Sequence, residues 1–289
     1  MALVTLREVL KDAEEKGYAV PSFNAVDVNL LRGLIAAAEQ ESSPIIISLG
    51  QGQFRFTPPE IIAPVMVQMA KEAKVPVVIH LDHGKSVEAC IRALRLGFSS
   101  VMYDGSALSF EENVQNTNEV LKIARHFGAS VEAEIGKVGN AETGDEVEET
   151  TVEAETEDQL TTPEEAIRFM EAADVDALAI AFGTAHGLYK GEPKLDFQRL
   201  ESIHKQTSVP LVMHGGSGLD DRVYGEAIAC GISKINYFSN MSHDIGKQCL
   251  ATLANAEETY YHEAVLTAVE TTREHASRIM RVFGSNGKA

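Results

Sequence analysis

Cysteine, basic charge and long apolar runs are all scarce in this chain of 289 residues. Its three cysteines, Cys90, Cys230 and Cys249, lie far apart. An odd, scattered set excludes a disulfide framework and a Cys-x-x-Cys metal knuckle, and it suits a reducing compartment. No apolar run approaches the ~20 residues a membrane-spanning helix needs, so no membrane partner is expected. The opening segment MALVTLREVLKDAEEKG is charged by Arg7 and has no signal-peptide core, so a cytoplasmic protein is expected. Lys and Arg number 25 against 43 Asp and Glu, for a net charge of −18. Such a surface repels polyanions, which argues against a nucleic-acid partner. A Gly-x-Gly-x-x-Gly turn after an early strand is also missing, and that weakens a doubly wound, dinucleotide-binding sheet. Between Glu142 and Asp158 stand nine acids and no Lys or Arg, a stretch that reads as solvated loop.

What the chain does have is alternation. Short apolar runs recur at Ala19–Phe23, Ile45–Leu49, Pro76–Leu81, Ser100–Tyr103, Ser130–Ile135, Ala177–Phe182, Pro210–Met213 and Ile232–Tyr237. Their length and their Val, Ile and aromatic content mark them as buried strands. Helical periods separate them at Asp27–Glu41, Pro58–Ala73, Ser86–Leu96, Ser109–Phe127, Thr162–Ala172, Asp196–Gln206 and Asp220–Cys230, several opening on a Ser, Thr or Asp cap. In the first, Leu30, Leu31, Leu34, Ile35 and Ala38 form the stripe of an amphipathic helix. Strict alternation predicts parallel strands joined by crossover helices. Eight such units in this length predict a (β/α)8 TIM barrel, with an N-terminal helix at Thr5–Lys16 and a helical C-terminal extension over 257–282. No linker or low-complexity tract interrupts the pattern. One domain over 1–289 is expected, with a long acidic loop at 136–162.

In such a barrel the chemistry sits where strands end. HLDHG (80–84) closes the third run, YDGS (103–106) the fourth, and Glu132 and Glu134 lie on the fifth. GTAHG (183–187) follows the sixth, HGGSG (214–218) the seventh, and Asn236, Ser239 and Asn240 the eighth. His83, His186 and His214 therefore stand at three strand mouths. Neutral imidazoles suit Zn2+, and three of them leave a fourth coordination position open for substrate. One histidine alone would more often be a hydrogen-bonded structural residue; three in equivalent places favour a metal. His80 shares a strand face with Asp82 and is expected to act only from behind a ligand. His126, His204, His243, His262 and His275 fall in helical segments and are expected at the surface. Gly215, Gly216 and Gly218 precede a helix opening near Asp220, where consecutive N–H groups can cradle a phosphate. A turn chosen only for backbone freedom is the alternative.

Taken together, HLDHG at 80–84, SVMYDGS at 100–106, EAEIGKVG at 132–139, GTAHGLYKG at 183–191, HGGSG at 214–218 and GISKIN at 231–236 resemble the motifs of class II fructose-bisphosphate/tagatose-bisphosphate aldolases. VPSFNAVDVNLL at 20–31 and PIIIS at 44–48 extend the resemblance over nearly the whole chain. It implies a zinc-dependent enzyme that cleaves a ketose phosphate to dihydroxyacetone phosphate and an aldehyde such as glyceraldehyde 3-phosphate. By that resemblance His83, His186 and His214 match the zinc ligands, and Asp82 the acid/base at the C4 hydroxyl. Asp104 and Glu134 match carboxylates near the metal that can hold an alternative or second divalent ion. Glu142 matches the loop glutamate that exchanges a proton with the three-carbon half. Gly187, Gly215, Gly216, Ser217, Asn236 and Ser239 match the pocket for dihydroxyacetone phosphate, and Lys190 a lysine that reaches the far phosphate. A monovalent cation (Na+ or K+), assembly as a homodimer or homotetramer, and in some tagatose-type members a stabilising partner subunit are also implied.

The chemistry is coherent with these residues. Breaking a carbon–carbon bond next to a carbonyl leaves an electron pair that a divalent ion can stabilise as a Lewis acid. One carboxylate must take the hydroxyl proton and a second acid must protonate the carbanion. A closing loop would exclude water meanwhile. The rival within the same reaction class is a lysine Schiff base. Its candidate is Lys234, in the eighth apolar run, but a Schiff base leaves the three histidines unexplained. Three positions depart from the family pattern: Phe238, where a small residue or Asp is usual; Gly50, where Ser is common; and Asn140, where Gly is common. They spare the zinc set and leave the sugar open, with two alternatives: another phosphorylated or otherwise anionic ketose, or a non-catalytic, partner-dependent subunit. Arg55, Arg278 and Arg281 are candidates for a distal anion site, and each also reads as an ordinary surface arginine.

Overall fold

The computed structural model describes residues 2–138, 159–189, 191, 193–256 and 258–289. Eight strands form the barrel: β1 (Val20–Asn24), β2 (Ile45–Gly50), β3 (Val77–Gly84), β4 (Ser100–Tyr103), β5 (Ser130–Ile135), β6 (Ala177–Ile180), β7 (Leu211–Met213) and β8 (Ile232–Asn236). Neighbours pair in parallel and in chain order, and β8 returns to β1 to close the ring. The helices are α1 (Leu6–Lys16), α2 (Val28–Glu41), α3 (Pro59–Glu72), α4 (Val87–Arg95), α5 (Phe110–Phe127), α6 (Pro163–Ala172), α7 (Phe197–Gln206), α8 (Asp221–Ala229), α9 (Ser239–Ala254) and α10 (Tyr261–Val282). The (β/α)8 expectation holds. Helix starts follow the caps seen in the sequence. Asp27 accepts from the N–H groups of Asn29 and Leu30, Ser86 from Ala89, and Thr162 from Glu165 in a capping box.

The C-terminal extension departs from expectation. Residues 239–254 already form a helix, α9, directly after β8, and α10 follows from Tyr261. The α9 sequence SNMSHDIGKQCLATLA buries only Met241 and Ile245, so no apolar stripe announces it. Tertiary placement over the barrel decides its conformation, not periodicity. Helix α10 then packs on α2 at a close approach. A Cβ at Gly33 would lie 2.6 Å from the Val269 carbonyl oxygen, so only glycine fits there.

The barrel interior has two halves of opposite character. At the N-terminal end α1 plugs the barrel: Leu6, Val9, Leu10 and Ala13 pack on the inward residues Val20, Ile46, Val78, Met102 and Val212. Asp176 ties this plug down, pairing with Arg7 on α1 and Arg125 on α5 and accepting from the Val131 N–H at 2.7 Å. Toward the C-terminal end the inward positions become Ser48, His80, Asp82, Glu132, Glu134, His214, Lys234 and Asn236, all buried. The outward strand residues, such as Ile47, Ile79, Val131 and Leu178, join the helices in the main apolar core.

The ends of the predicted acidic loop meet. The Lys137 N–H donates to the Gln159 carbonyl at 3.0 Å, and the Thr161 hydroxyl to the Ile135 carbonyl at 2.8 Å. Residues 139–158, with Glu142, lie outside the described residues, as does Lys190. His275 is not the surface residue expected from its helix. Its side chain is 17% exposed, its Nε2 lies 2.8 Å from Asp244 Oδ2, and its ring stands 6.1 Å from that of Tyr237. Among the described residues no helix is long and apolar enough to cross a membrane.

Candidate active site and metal centre

Strand β3 carries two functional side chains in a row, which a regular strand cannot do because neighbours point to opposite faces. The chain solves this with a bulge. Pairing with β4 slips between Leu81 and Gly84, and His83 adopts φ 48°, a left-handed conformation uncommon outside glycine. Asp82 and His83 both reach the barrel mouth as a result. Such strain persists where the surroundings over-determine it, and it clusters at functional sites.

Three histidine rings converge there. Ring centroids are 4.6 Å apart for His83 and His214, 5.0 Å for His83 and His186, and 5.9 Å for His186 and His214. Their ligand atoms all lie within 4.8 Å of one another. His83 Nδ1 lies 2.7 Å from Asp104 Oδ2, while its buried Nε2 has no hydrogen-bond partner. His214 Nε2 lies 2.9 Å from Glu132 Oε1, which leaves Nδ1 toward the cluster. A carboxylate behind the His83 and His214 imidazoles fixes which nitrogen faces the cluster, the usual arrangement behind metal-binding histidines, and the Asn236 amide nitrogen lies 3.2 Å from His214 Nδ1. An unsatisfied buried ring nitrogen facing two further imidazoles fits a divalent ion.

His186 is placed from the neighbouring loop. The Tyr189 hydroxyl accepts from the Ala185 N–H at 2.8 Å and donates to the Gly215 carbonyl at 2.7 Å, which clamps the loops after β6 and β7 together. Gly215 has φ 66°, and a Cβ there would meet the Ala185 carbonyl carbon at 2.6 Å. That close approach brings His186 and His214 side by side.

The carboxylates differ in state. Asp82 is held by two amides, Asn24 at 3.0 Å and Asn236 at 3.1 Å. Burial alone would raise its pKa, but His83, His214 and Lys234 outweigh it and hold Asp82 well below the ordinary carboxylate range. Glu132 is likewise kept ionised, at about 2, by Lys234 and His214 against burial. Glu134 goes the other way: in the metal-free chain, burial and then Asp104 push it up to about 8. Burial opposes charge on His83, yet Asp82, Asp104 and Glu134 raise its ring to about 9. His186 and His214 are lowered, first by burial and then by His83. His80 is fully buried and drops to about 3 for the same first reason, with Lys234 adding to it.

Two cavities meet at His83 and His186. One, of about 250 Å³, is lined by Lys85, Asp104, Ser106, Glu134 and Lys137. The other is lined by Asn24, Asp82, Gly187, Gly215, Gly216, Ser217, Asn236 and Ser239. The second thus gathers every described residue expected to hold the three-carbon phosphate. The Tyr224 hydroxyl donates to the Gly216 carbonyl, fixing the loop, and Ser217 Oγ accepts from the Asn240 N–H at 2.9 Å at the start of α9. Helix α9 has no side-chain cap from Phe238, and the Asn240 bond to Ser217 sets its N-terminus against the glycine loop, where the positive end of the helix favours an anion.

Several residues here escaped the sequence reading. Glu132 and Asn24 orient His214 and Asp82, and Lys85 reaches Asp104 with Nζ 2.5 Å from Oδ2. The signal for Glu132 was present, since two acids two apart on a buried strand share one inward face. Lys234 is fully buried, with Nζ 2.9 Å from Glu132 Oε2. It stands behind His214 as the partner of Glu132, and a Schiff base there would still leave the histidine cluster unexplained. Arg278 pairs with Asp221 and Arg281 with Glu41.

Comparisons agree with this geometry. The model of the family described as fructose-bisphosphate aldolase class-II matches residues 4–288. A sulfofructosephosphate aldolase of Alkalicoccus urumqiensis is 40% identical over 292 aligned residues, covering 100% of this chain and 99% of that protein. A probable fructose-bisphosphate aldolase of Bacillus subtilis strain 168 is 39% identical with full coverage of both chains. The crystal structure of the YdjI aldolase of Escherichia coli K12 superposes with a TM-score of 0.85 at 34% identity, covering 99% of each chain. Barrel, histidine cluster and full-length similarity together place this chain in the class II fructose-bisphosphate aldolase family.

Proposed function

We propose that the chain is a zinc-dependent aldolase that cleaves a ketose 1-phosphate with a second anionic group at its far end. The products are dihydroxyacetone phosphate and an aldehyde. The observation that carries this reading is the convergence of three imidazoles, one with an unpartnered Nε2, on an ionised carboxylate and a glycine-rich loop. His83, His186 and His214 would hold Zn2+, which supplies Lewis-acid polarisation of the substrate carbonyl when bound. Asp82, ionised and aimed by Asn24 and Asn236, takes the proton from the C4 hydroxyl as the C3–C4 bond breaks. The backbone of Gly215–Ser217, Ser239 and the start of α9 bind the phosphate of the three-carbon half, with Gly187 opposite. Glu142, on the loop whose ends meet at Lys137 and Gln159, returns a proton to that half; Lys190 reaches the far anion.

What two relatives of nearly equal identity have in common supports this substrate class. One is named for sulfofructosephosphate and the other for fructose-bisphosphate, both phosphorylated ketoses. The free cysteines suit a cytoplasmic setting.

The test is a panel of ketose 1-phosphates and 1,6-bisphosphates that differ at C4 and C6. Released dihydroxyacetone phosphate is read by coupled reduction with NADH. Release from a substrate with an anionic C6 group, abolished by a chelator and restored by Zn2+, is expected. No release from any of them, or release indifferent to the chelator, would overturn the proposal.

A further inference from the structure

The three-histidine set shares one member with a second group of donors. His83, Asp104 and Glu134 also bring ligand atoms within 4.8 Å of one another. On donor chemistry alone that group reads as a second cation position. A cation of the chain's own already stands beside it. Lys85, two residues beyond His83, places Nζ 2.5 Å from Asp104 Oδ2, the oxygen that His83 Nδ1 meets at 2.7 Å. Its backbone is anchored, since the Lys85 N–H donates to Gln51 Oε1 at 2.8 Å. Its side chain lines the same cavity as Asp104 and Glu134.

Charge balance points the same way. Asp82, Asp104, Glu132 and Glu134 are four buried carboxylates at one end of the barrel. Lys234 stands on Glu132 and Lys85 on Asp104. With those two ammoniums, a single divalent ion brings the fully ionised cluster to neutrality. A second divalent ion would leave excess positive charge in a buried site and would have to displace Lys85 from Asp104, both of which are costly.

We propose that the Lys85 ammonium fills the second cation position of this site and limits the chain to one divalent ion, the one held by His83, His186 and His214. The inference rests on the three-histidine reading above. Lys85 is a positioning residue in this account. It holds Asp104 where its oxygen faces His83 Nδ1, so that His83 Nε2 stays aimed at the histidine cluster.

The test is metal stoichiometry in the full-length protein, stripped with a chelator and titrated with Zn2+ by calorimetry. Bound metal is counted by elemental analysis after desalting. One ion per chain is expected for the wild type and two for Lys85→Ser. The double variant Lys85→Ser/Asp104→Asn returns to one. With Mn2+ in place of Zn2+, a second ion held by Asp104 and Glu134 beside the histidine site gives a coupled electron-spin-resonance signal in Lys85→Ser, against an isolated-ion signal in the wild type. The Lys85 side chain is 50% exposed, so its removal leaves the core intact. Two ions in the wild type, or one in Lys85→Ser, would overturn the proposal. A wild type that binds no ion would instead bring down the three-histidine reading, and Lys85 with it.

Discussion

The two ends of one barrel interior do different work with the same strands. Near the N-terminal end the inward side chains are Val20, Ile46, Val78 and Val212, closed off by Leu6, Val9 and Leu10 of α1. A few residues along the same strands or just past their ends they are Asn24, Ser48, Asp82 and His214. The period of two decides which residues face inward at both ends; the change in residue type decides whether they pack or react. Burial is nearly total at both ends. At the lower end it is favourable in itself, at roughly 25 cal/mol per Å² of apolar surface. At the upper end each buried charge needs a partner: Glu132 has Lys234, Asp104 has Lys85, and Asp82 has two amides.

That contrast can be broken from either side. The largest effect is expected at the upper end. His186→Ala removes one of three ligands, so it should abolish zinc retention and with it cleavage, while the apolar half keeps the protein folded. Retained stoichiometric zinc would show that His186 is not a ligand. Asp82→Ala should keep the metal yet lose cleavage by at least ~10²-fold, the scale of a positioned acid/base. Normal turnover in that variant would reassign the proton transfer.

At the lower end the effects should reverse. Leu10→Ala leaves a cavity under the barrel and should cost about 2–5 kcal/mol of stability, read by denaturant unfolding, with turnover unchanged at temperatures where it stays folded. A loss of turnover without a loss of stability would mean the two ends are coupled.

The smallest and most diagnostic effect concerns pH. In the metal-free chain His83 and Glu134 are raised, to about 9 and about 8, so the folded state holds protons that the unfolded state has released. The Glu134 contribution to stability is complete below its ordinary value of 4.5 and is lost as pH rises through about 8. That of His83 is complete below 6.5 and is lost as pH rises through about 9. Below pH 6.5 the lowered His186 and His214 act in the opposite sense, gaining stability as pH rises, so metal-free protein should show its net loss of thermal stability between about pH 6.5 and 9, and zinc should remove this dependence. Zinc binding across the same window should release protons, detectable by calorimetry in buffers of different ionisation enthalpy. A pH-independent midpoint in the metal-free protein would contradict these assignments.

The same contrast explains what the sequence disclosed. Eight apolar runs and their capped helices were legible because packing imposes period and punctuation on a strand–helix unit. The three histidines and HGGSG were legible because strand ends are where such a barrel exposes side chains. Asn24 and Lys85 were not, because each acts through one specific contact with another strand, and no spacing along the chain encodes that; the spacing of Glu132 from Glu134 marks it as inward but does not encode its contact with His214. The bulge at His83 was hidden too: HLDHG reads as ordinary alternation until its register with β4 is seen. Helix α9 escaped because its position over the barrel outweighs a weak apolar stripe.

One measurement addresses the central claim without knowledge of the sugar. The protein is incubated with dihydroxyacetone phosphate in D2O, and the C3 proton is followed by NMR with and without a chelator. Exchange is expected that stops when the metal is stripped and returns with Zn2+. An absence of exchange with one ion bound per chain, or exchange that survives the chelator, would contradict it.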